Sequence, residues 1–307
     1  MSTAEATEST LDFTVPGLEK PCKTWYTIFG SLSKSVRPLV VLHGGPGVPH
    51  HYLLPIADIA TKYGTPVIMY DQLGCGNSTR LPEKNGAGDF WTVDLFLSEL
   101  DNLLTKLGIK DNYDLLGQSW GGMLGACHAI RQPKGLNKLV IADSPASMEL
   151  WITAADRLRT GLPSDVQETL TRCEKDGKTD TEEYEKAVEV YYDRHLCRVK
   201  PTPAELKKSF EVMKEDMTVL LTMNGPSEFF ITGTLKTWTI IEDLHKIIIP
   251  TLLINGRYDE AQDEVVQPYF DRIPKVKWVR FADSSHTPQL EERDEFISVV
   301  GQFLGLR

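Results

Sequence analysis

No stretch of this sequence reaches the roughly 18 consecutive apolar residues that a bilayer-crossing helix requires. The first ten residues, MSTAEATEST, contain neither a basic nor an apolar segment, so they do not resemble a secretory signal. Basic charge is also scarce: the formal net charge is −10 at pH 7, whereas phosphate-binding surfaces require clustered lysine and arginine. We therefore expect neither a membrane nor a nucleic acid among the partners of this protein.

Cysteine is sparse and irregularly spaced. The cysteines are odd in number and contain no C-x-x-C pair: Cys22, Cys75, Cys127, Cys173 and Cys197. This pattern argues against a disulfide framework and shows no ligand spacing typical of a structural metal site. It favours a cytoplasmic protein with reduced thiols. No spacing in the sequence suggests a cofactor, and we expect none.

Short apolar runs bounded by turn residues recur in the first half of the chain: PLVVLHG, PVIMYDQ, YDLLGQS and KLVIADS. Runs of this kind are typical of strands that are buried on both faces of a parallel sheet. Segments with helical spacing of leucine separate them, such as FWTVDLFLSELDNLLTKLGI. The alternation predicts an α/β fold with a mostly parallel sheet flanked by helices.

The strand pattern stops after Ser144 and Pro145 and returns at IIIPTLLINGRYD. Charged, helix-forming stretches such as TEEYEKAVEVYYDRHL dominate the residues between. We predict a disordered N-terminus at residues 1–10, an α/β core at 11–146 and 238–307, and a helical cap at 147–237. The cap is expected to lie over the carboxyl edge of the sheet.

The segment from Gly117 to Gly121, GQSWG, matches G-x-S-x-G, the nucleophile elbow. In this motif Ser119 occupies a strained turn between a strand and a helix, where side chains at the two glycine positions would collide with the backbone. The strand YDLL precedes the motif, and GMLGACHAI, which is typical of a packed helix, follows it. A glycine-rich turn without a catalytic role is the alternative.

A serine hydroxyl needs a base to take its proton, usually a histidine that is oriented by a carboxylate. In this architecture the order along the chain is Ser, then Asp or Glu, then His. Asp259 follows the strand TLLING and His286 follows VKWVRFA, so both lie where open α/β sheets bind their ligands. We predict a triad of Ser119, Asp259 and His286. Cys75 has no histidine placed for it and is not expected to be a nucleophile.

Acyl transfer also requires backbone donors for the oxyanion. One predicted donor is the N–H of Trp120, the residue after the nucleophile. The loop HGGPG follows an early buried strand, and its glycines allow the backbone to turn N–H groups inward. We predict Gly45 as the second donor.

Together HGGPG, DQLGCGNS, GQSWGG, RYDE and DSSH resemble the proline iminopeptidase family of α/β-hydrolases. The resemblance extends from about Leu11 to the end of the chain, and within the family it is strong for the tricorn-interacting aminopeptidase and for L-amino acid amidases. It implies an α/β-hydrolase fold with a helical cap. It also implies a substrate whose α-ammonium group is held by glutamates, which map to Glu228 in GPSEF and Glu260 in RYDE.

We therefore predict a serine hydrolase that cleaves an amide bond next to a free α-amino group, in short peptides or amino-acid amides, through an acyl-enzyme. An esterase or lactonase, including one of secondary metabolism, and a non-catalytic binding protein on the same fold remain alternatives. An epoxide hydrolase or dehalogenase is disfavoured, because those enzymes use an aspartate where Ser119 stands. Preference for proline stays open: Trp120, Phe229, Phe230 and Trp238 suit either a pyrrolidine pocket or an ordinary core. The oligomeric state is not predicted.

Overall fold

A single eight-stranded sheet forms the centre of the computed structural model, which describes residues 5–306. The strands in chain order are Ala6–Phe13 (β1), Cys22–Phe29 (β2), Leu39–Leu42 (β3), Val67–Tyr70 (β4), Tyr113–Gln118 (β5), Leu136–Ala142 (β6), Thr251–Gly256 (β7) and Val276–Phe281 (β8). Their order across the sheet is β1-β2-β4-β3-β5-β6-β7-β8. The pairs β1–β2 and β2–β4 are antiparallel, and the remaining pairs are parallel.

Helices cover both faces of the sheet. The α-helices among residues 5–306 are Asp58–Tyr63 (α1), Val93–Lys106 (α2), Trp120–Ile130 (α3), Met148–Arg159 (α4), Ser164–Lys175 (α5), Glu182–His195 (α6), Ala204–Met213 (α7), Thr218–Met223 (α8), Asp263–Arg272 (α9), Pro288–Glu291 (α10) and Arg293–Leu304 (α11). None of them is long and apolar enough to span a bilayer.

Alternation along the buried strands places consecutive side chains in two different apolar layers. Val40 and Leu42 of β3 belong to the layer that α2, α3 and α9 cover. Leu39 and Val41 belong to the opposite layer, which α1 and α11 cover. A central strand therefore needs apolar residues at almost every position, and this accounts for the continuous apolar runs of the sequence.

The prediction of disorder at residues 1–10 is wrong for residues 6–10. They belong to β1, which pairs with β2 from Ala6 opposite Phe29 to Phe13 opposite Cys22. The segment is polar because β1 is an edge strand whose side chains are mostly exposed, so its pairing depends on backbone hydrogen bonds rather than on burial. Residues 1–4 of the same prediction lie outside the described residues.

Helices α4 to α8 lie between β6 and β7, and this segment of the chain contains an apolar cluster of its own, which includes Leu170, Tyr184 and Phe229. The chain leaves and re-enters the core at neighbouring points, because Ser147 and Thr239 form an isolated antiparallel bridge. We propose that residues 147–237 form the cap over the carboxyl edge of the sheet.

Hydrogen bonds fasten this cap segment to loops at that edge. The Ser209 hydroxyl of α7 accepts the Tyr52 N–H at 2.9 Å, in the segment after β3. The His195 carbonyl of α6 accepts the His286 N–H at 3.2 Å, in the loop after β8. The cap segment therefore contacts the same loops that carry the predicted site residues.

Candidate active site

Ser119 stands on a sharp turn between β5 and α3, with φ of 56° and ψ of −124°. A Cβ atom on Gly117 would lie 2.0 Å from the carbonyl oxygen of Gly121, and one on Gly121 would lie 2.1 Å from the carbonyl oxygen of Leu42. No side chain fits at such distances. The two flanking glycines are therefore required by the close packing of the turn that presents Ser119.

His286 and Asp259 come together from the loops after β8 and β7. Nδ1 of His286 lies 2.7 Å from Oδ1 of Asp259. Both residues are buried, and the same Oδ1 accepts the Ala261 N–H at 2.8 Å. This contact fixes the imidazole through Nδ1 and leaves Nε2 as the nitrogen that can exchange a proton with a substrate or a nucleophile.

A buried chain of hydrogen bonds ties His286 to the turn that carries Ser119. The Gln118 side-chain amide donates to the His286 carbonyl at 2.9 Å, and its Oε1 accepts the Tyr52 hydroxyl at 2.6 Å. That hydroxyl in turn accepts the Gly44 N–H at 2.7 Å. The glycine-rich loop, the residue before Ser119 and the histidine loop are thus held by one network.

Sequence reasoning missed this network. Gln118 occupies the variable position of the G-x-S-x-G motif, and Tyr52 lies 66 residues before it. No periodicity or spacing connects two such positions. The one signal available was the place of Gln118 in the predicted buried strand YDLLGQS. A buried amide must find partners for both of its ends, and the structure confirms that Gln118 is buried.

Ser119 borders a narrow cavity between the cap and the sheet. Its wall includes Ser119, Glu228 and both residues predicted to stabilise the oxyanion, Gly45 and Trp120. The volume is about 10 Å³, room for about one water molecule. The structure therefore places one cap glutamate, the serine and both predicted donors around a common space.

Backbone geometry at the two predicted donors suits an oxyanion. Trp120 is the first residue of α3, where N–H groups have no acceptor inside the helix and the helix dipole is positive. Gly45 has a φ of 106°, and a Cβ atom there would lie 2.7 Å from the backbone nitrogens of Gly47 and Val48. The loop can take this tight path only with glycine at position 45.

The four aromatic residues whose role the sequence left open divide between the cavity and the apolar cores. Trp120 lines it, but Phe229 and Phe230 pack in the apolar cluster of the cap, and Trp238 packs against the core. Trp151 of α4 takes their place: it lines the cavity and its ring lies 5.6 Å from that of His286, at an interplanar angle of 72°. No sequence pattern indicated this, because Trp151 fits equally well as one apolar position of an amphipathic helix.

Glu260 is fully buried. Its carboxylate oxygens make no geometrically well-formed hydrogen bond within residues 5–306, and the Tyr191 hydroxyl, which also makes none, lies beside them. Oε1 lies 3.9 Å from Nε2 of His286. Burial, together with the neighbouring Glu228 and Asp259 carboxylates, raises the pKa of Glu260 well above its usual range. Burial also raises the pKa of Glu228 to about 7. An ionised carboxylate is costly to bury without a partner, so these acids form a site that favours a bound cation.

The carboxylates around His286 offset the effect of burial on its pKa. Burial alone lowers the pKa of this imidazole, but the Asp259, Glu260 and Glu228 carboxylates outweigh that effect and raise the pKa to about 9.

Within the part of the chain that the structure describes, no group of three or more His, Cys, Asp or Glu side chains is arranged to hold a metal ion.

Comparison with known proteins places this geometry in a family. The sequence matches the α/β hydrolase fold family over residues 37–293. The proline iminopeptidase of Saccharolobus solfataricus is 37% identical over 270 residues, which cover 88% of this chain and 85% of the relative.

Two solved structures resemble the chain over nearly its whole length. The crystal structure of VinJ is 47% identical, with a TM-score of 0.93, and the match covers 98% of this chain and 99% of VinJ. The proline iminopeptidase of Mycobacterium smegmatis is 44% identical, with a TM-score of 0.86, and the match covers 97% and 98% of the two chains. These matches confirm the predicted fold class, and the chain belongs to the proline iminopeptidase family of α/β-hydrolases.

Proposed function

We propose that this protein is a serine hydrolase that cleaves the amide bond next to a free α-amino group. The observation that carries the proposal is a pair of acids at the site: the fully buried Glu260, whose Oε1 lies 3.9 Å from Nε2 of His286, and Glu228, which lines the cavity that Ser119 borders. A substrate ammonium binds these carboxylates through charge-assisted hydrogen bonds. Membership of the proline iminopeptidase family supports the same function.

Each predicted site residue has a role in this reaction. His286 removes the proton from the Ser119 hydroxyl as its oxygen attacks the carbonyl carbon, while Asp259 holds the imidazole. The N–H groups of Gly45 and Trp120 stabilise the oxyanion of the tetrahedral intermediate. His286 then gives the proton to the leaving amine, and water hydrolyses the acyl-enzyme.

Glu228 and Glu260 bind the α-ammonium group. Burial raises the pKa of both carboxyls, and an arriving ammonium group favours their ionised forms. The cation also offsets the negative field that holds the pKa of His286 at about 9, so the bound substrate makes His286 a better base.

The acyl residue is expected to be small and apolar, proline included. Trp151, Met148 and Leu235 line the cavity, whose volume of about 10 Å³ has room for about one water molecule and not for a substrate side chain such as that of proline. Binding therefore requires these cap residues to move. We further propose that the enzyme acts in the cytoplasm on small molecules or short peptides, in agreement with the free thiols of all five cysteines.

A substrate panel tests the proposed reaction. We expect hydrolysis of free aminoacyl anilides and amides, poor hydrolysis of their N-acetylated forms, and loss of turnover by at least about 10⁴-fold in Ser119→Ala. A fluorophosphonate is expected to label the wild-type enzyme but not this variant. Turnover of esters or lactones without turnover of free-amine amides would identify an esterase instead. Absence of both labelling and turnover would identify a non-catalytic binding protein.

A further inference from the structure

A second buried acid lies behind the predicted triad. Asp143 follows β6 directly, and its N–H donates to the Ile254 carbonyl of β7 at 2.8 Å. Because Asp259 follows β7, the two aspartates leave adjacent strands at the same edge of the sheet. Asp143 is fully buried and adopts a φ of 53°, in the left-handed region.

The carboxyls of Asp143 and Asp259 both contain oxygens without a hydrogen-bond partner in the described part of the chain. Neither oxygen of Asp143 has a hydrogen-bond partner among the described residues, and Oδ2 of Asp259 also lacks one. The side chains lie within hydrogen-bonding reach of each other. Two ionised carboxylates in such contact would repel, whereas one shared proton gives each a partner.

We infer that Asp143 is a neutral carboxylic acid that donates a hydrogen bond to Oδ2 of Asp259 and so positions the acid of the triad. The effect of Asp143 on catalysis rests on the proposed function, whereas its protonation state does not. Asp259 then has a donor on each oxygen, with His286 on Oδ1 and Asp143 on Oδ2. No proton is transferred in this role, and Asp143 acts on the substrate only through Asp259.

The surroundings of Asp143 favour the neutral form. Burial raises its pKa well above the usual range, and the carboxylates of Asp259 after β7 and Glu291 of α10 add to the effect. The nearby backbone N–H of Gly256 in β7 lowers the pKa of Asp143 and so partly offsets this rise. The Tyr52 side chain, from the segment after β3, faces the same region and carries no charge near neutral pH, because burial raises its pKa.

Infrared difference spectroscopy tests the proton directly. The spectrum of the wild-type protein minus that of Asp143→Asn is expected to contain the carbonyl band of a protonated carboxylic acid at pH 8. Asparagine keeps an N–H donor and tolerates positive φ, so this variant is also expected to fold. A difference spectrum with carboxylate bands instead would overturn the inference whether or not the enzyme is active.

Kinetics test the positioning role. Asp143→Asn is expected to keep kcat within about threefold, while Asp143→Gly, which removes the carboxyl without strain at positive φ, lowers kcat about tenfold at nearly constant KM. The rate of labelling of Ser119 by a fluorophosphonate is expected to follow the same order. An equal loss in both variants, with thermal unfolding unchanged, would show that Asp143 acts as an anion. Wild-type kcat in Asp143→Gly would show no positioning role.

A separate cluster of arginines lies around Tyr258, the residue before Asp259. Nine of the twelve arginines within residues 5–306 form ion pairs with Asp or Glu: Arg37, Arg80, Arg131, Arg157, Arg159, Arg172, Arg272, Arg280 and Arg293. The other three, Arg194, Arg198 and Arg257, lie together. Arg194 and Arg198 line a cavity of about 550 Å³, and Arg257 adjoins it.

Tyr258 organises this cluster. The Arg198 guanidinium stacks 3.7 Å from the centre of the Tyr258 ring, and that of Arg257 lies 5.5 Å from it. Arg194 donates to the Gly161 carbonyl at 2.7 Å. Glu291, the nearby acid, accepts the backbone N–H of Arg198 rather than its guanidinium. Stacking holds the Arg198 side chain in place and leaves its N–H groups available to an oxyanion.

We propose that this cavity binds a carboxylate or phosphate group. Calorimetry with inorganic phosphate and with acetate, each against chloride at equal ionic strength, distinguishes the two sources. Arg198→Ala is expected to weaken binding at least about tenfold. Arg157→Ala, which lines the same cavity but pairs with Glu264, serves as the control. Absence of binding for both anions, or equal loss in both variants, would overturn the proposal.

Discussion

Nε2 of His286 lies 3.9 Å from Oε1 of Glu260, while Nδ1 of the same imidazole lies 2.7 Å from Oδ1 of Asp259. The proposed base is thus held between two buried acids. Such a position stabilises the protonated imidazole, which is unable to accept a proton from Ser119. The positive charge of a bound substrate ammonium offsets the field of these acids and lowers the pKa of His286. Recognition of the substrate and activation of the base are therefore expected to be coupled at this site.

The pH dependence of the rate tests that coupling. A histidine base is active when neutral, so activity rises with pH through its pKa. For a neutral ester without an amino group, we expect the rise in kcat to follow the pKa of His286, about 9. For a free-amine substrate, the bound ammonium lowers this pKa, and the rise in kcat lies at lower pH. Coincident profiles of kcat against pH for the two substrates would contradict the coupling.

Packing at the serine turn makes a prediction about stability. Gly117→Ala places a methyl group 2.0 Å from the Gly121 carbonyl oxygen, so we expect the free energy of unfolding to fall by about 3 kcal/mol and activity to be lost. Gly161→Ala is the control, since its Cβ would lie 3.4 Å from the nearest atom, the Leu158 carbonyl oxygen. Denaturant unfolding of both variants measures the difference. Equal stability would show that the turn relaxes freely.

The Tyr52 hydroxyl links the glycine-rich loop to Gln118. Tyr52→Phe leaves the Gly44 N–H and Oε1 of Gln118 without this partner, so we expect the free energy of unfolding to fall by about 1–3 kcal/mol. We also expect kcat to fall about tenfold at nearly constant KM, because the loop of Gly45 and the His286 carbonyl lose a shared support. Tyr26→Phe on β2 is the control. An unchanged kcat would restrict the network to a structural role.

Much of the fold was predictable from the sequence because burial on both sides of a parallel sheet leaves continuous apolar runs. Strand β3 illustrates this, since every residue of Leu39–Leu42 is buried. The exposed edge strand β1 escaped prediction for the converse reason. Its side chains carry no burial signal, and its pairing with β2 is made by the backbone.

The candidate site was also predictable only in part. Ser119, Asp259 and His286 were identifiable because a motif and strand ends locate them along the chain. Trp151 and Asp143 were not, since their significance depends on contacts between distant segments. Trp151 reaches the ring of His286 across 135 residues of sequence, and only the folded chain shows that Asp143 stands beside Asp259.

The most direct test of the account is the ratio of kcat/KM for a free prolyl or alanyl anilide to that of its N-acetylated form, in the wild-type enzyme and in Glu260→Gln. If the buried glutamate binds the α-ammonium, the wild-type ratio is expected to be at least about 100 and to fall towards one in the variant. A wild-type ratio near one, or a high ratio that Glu260→Gln leaves unchanged, would contradict the account.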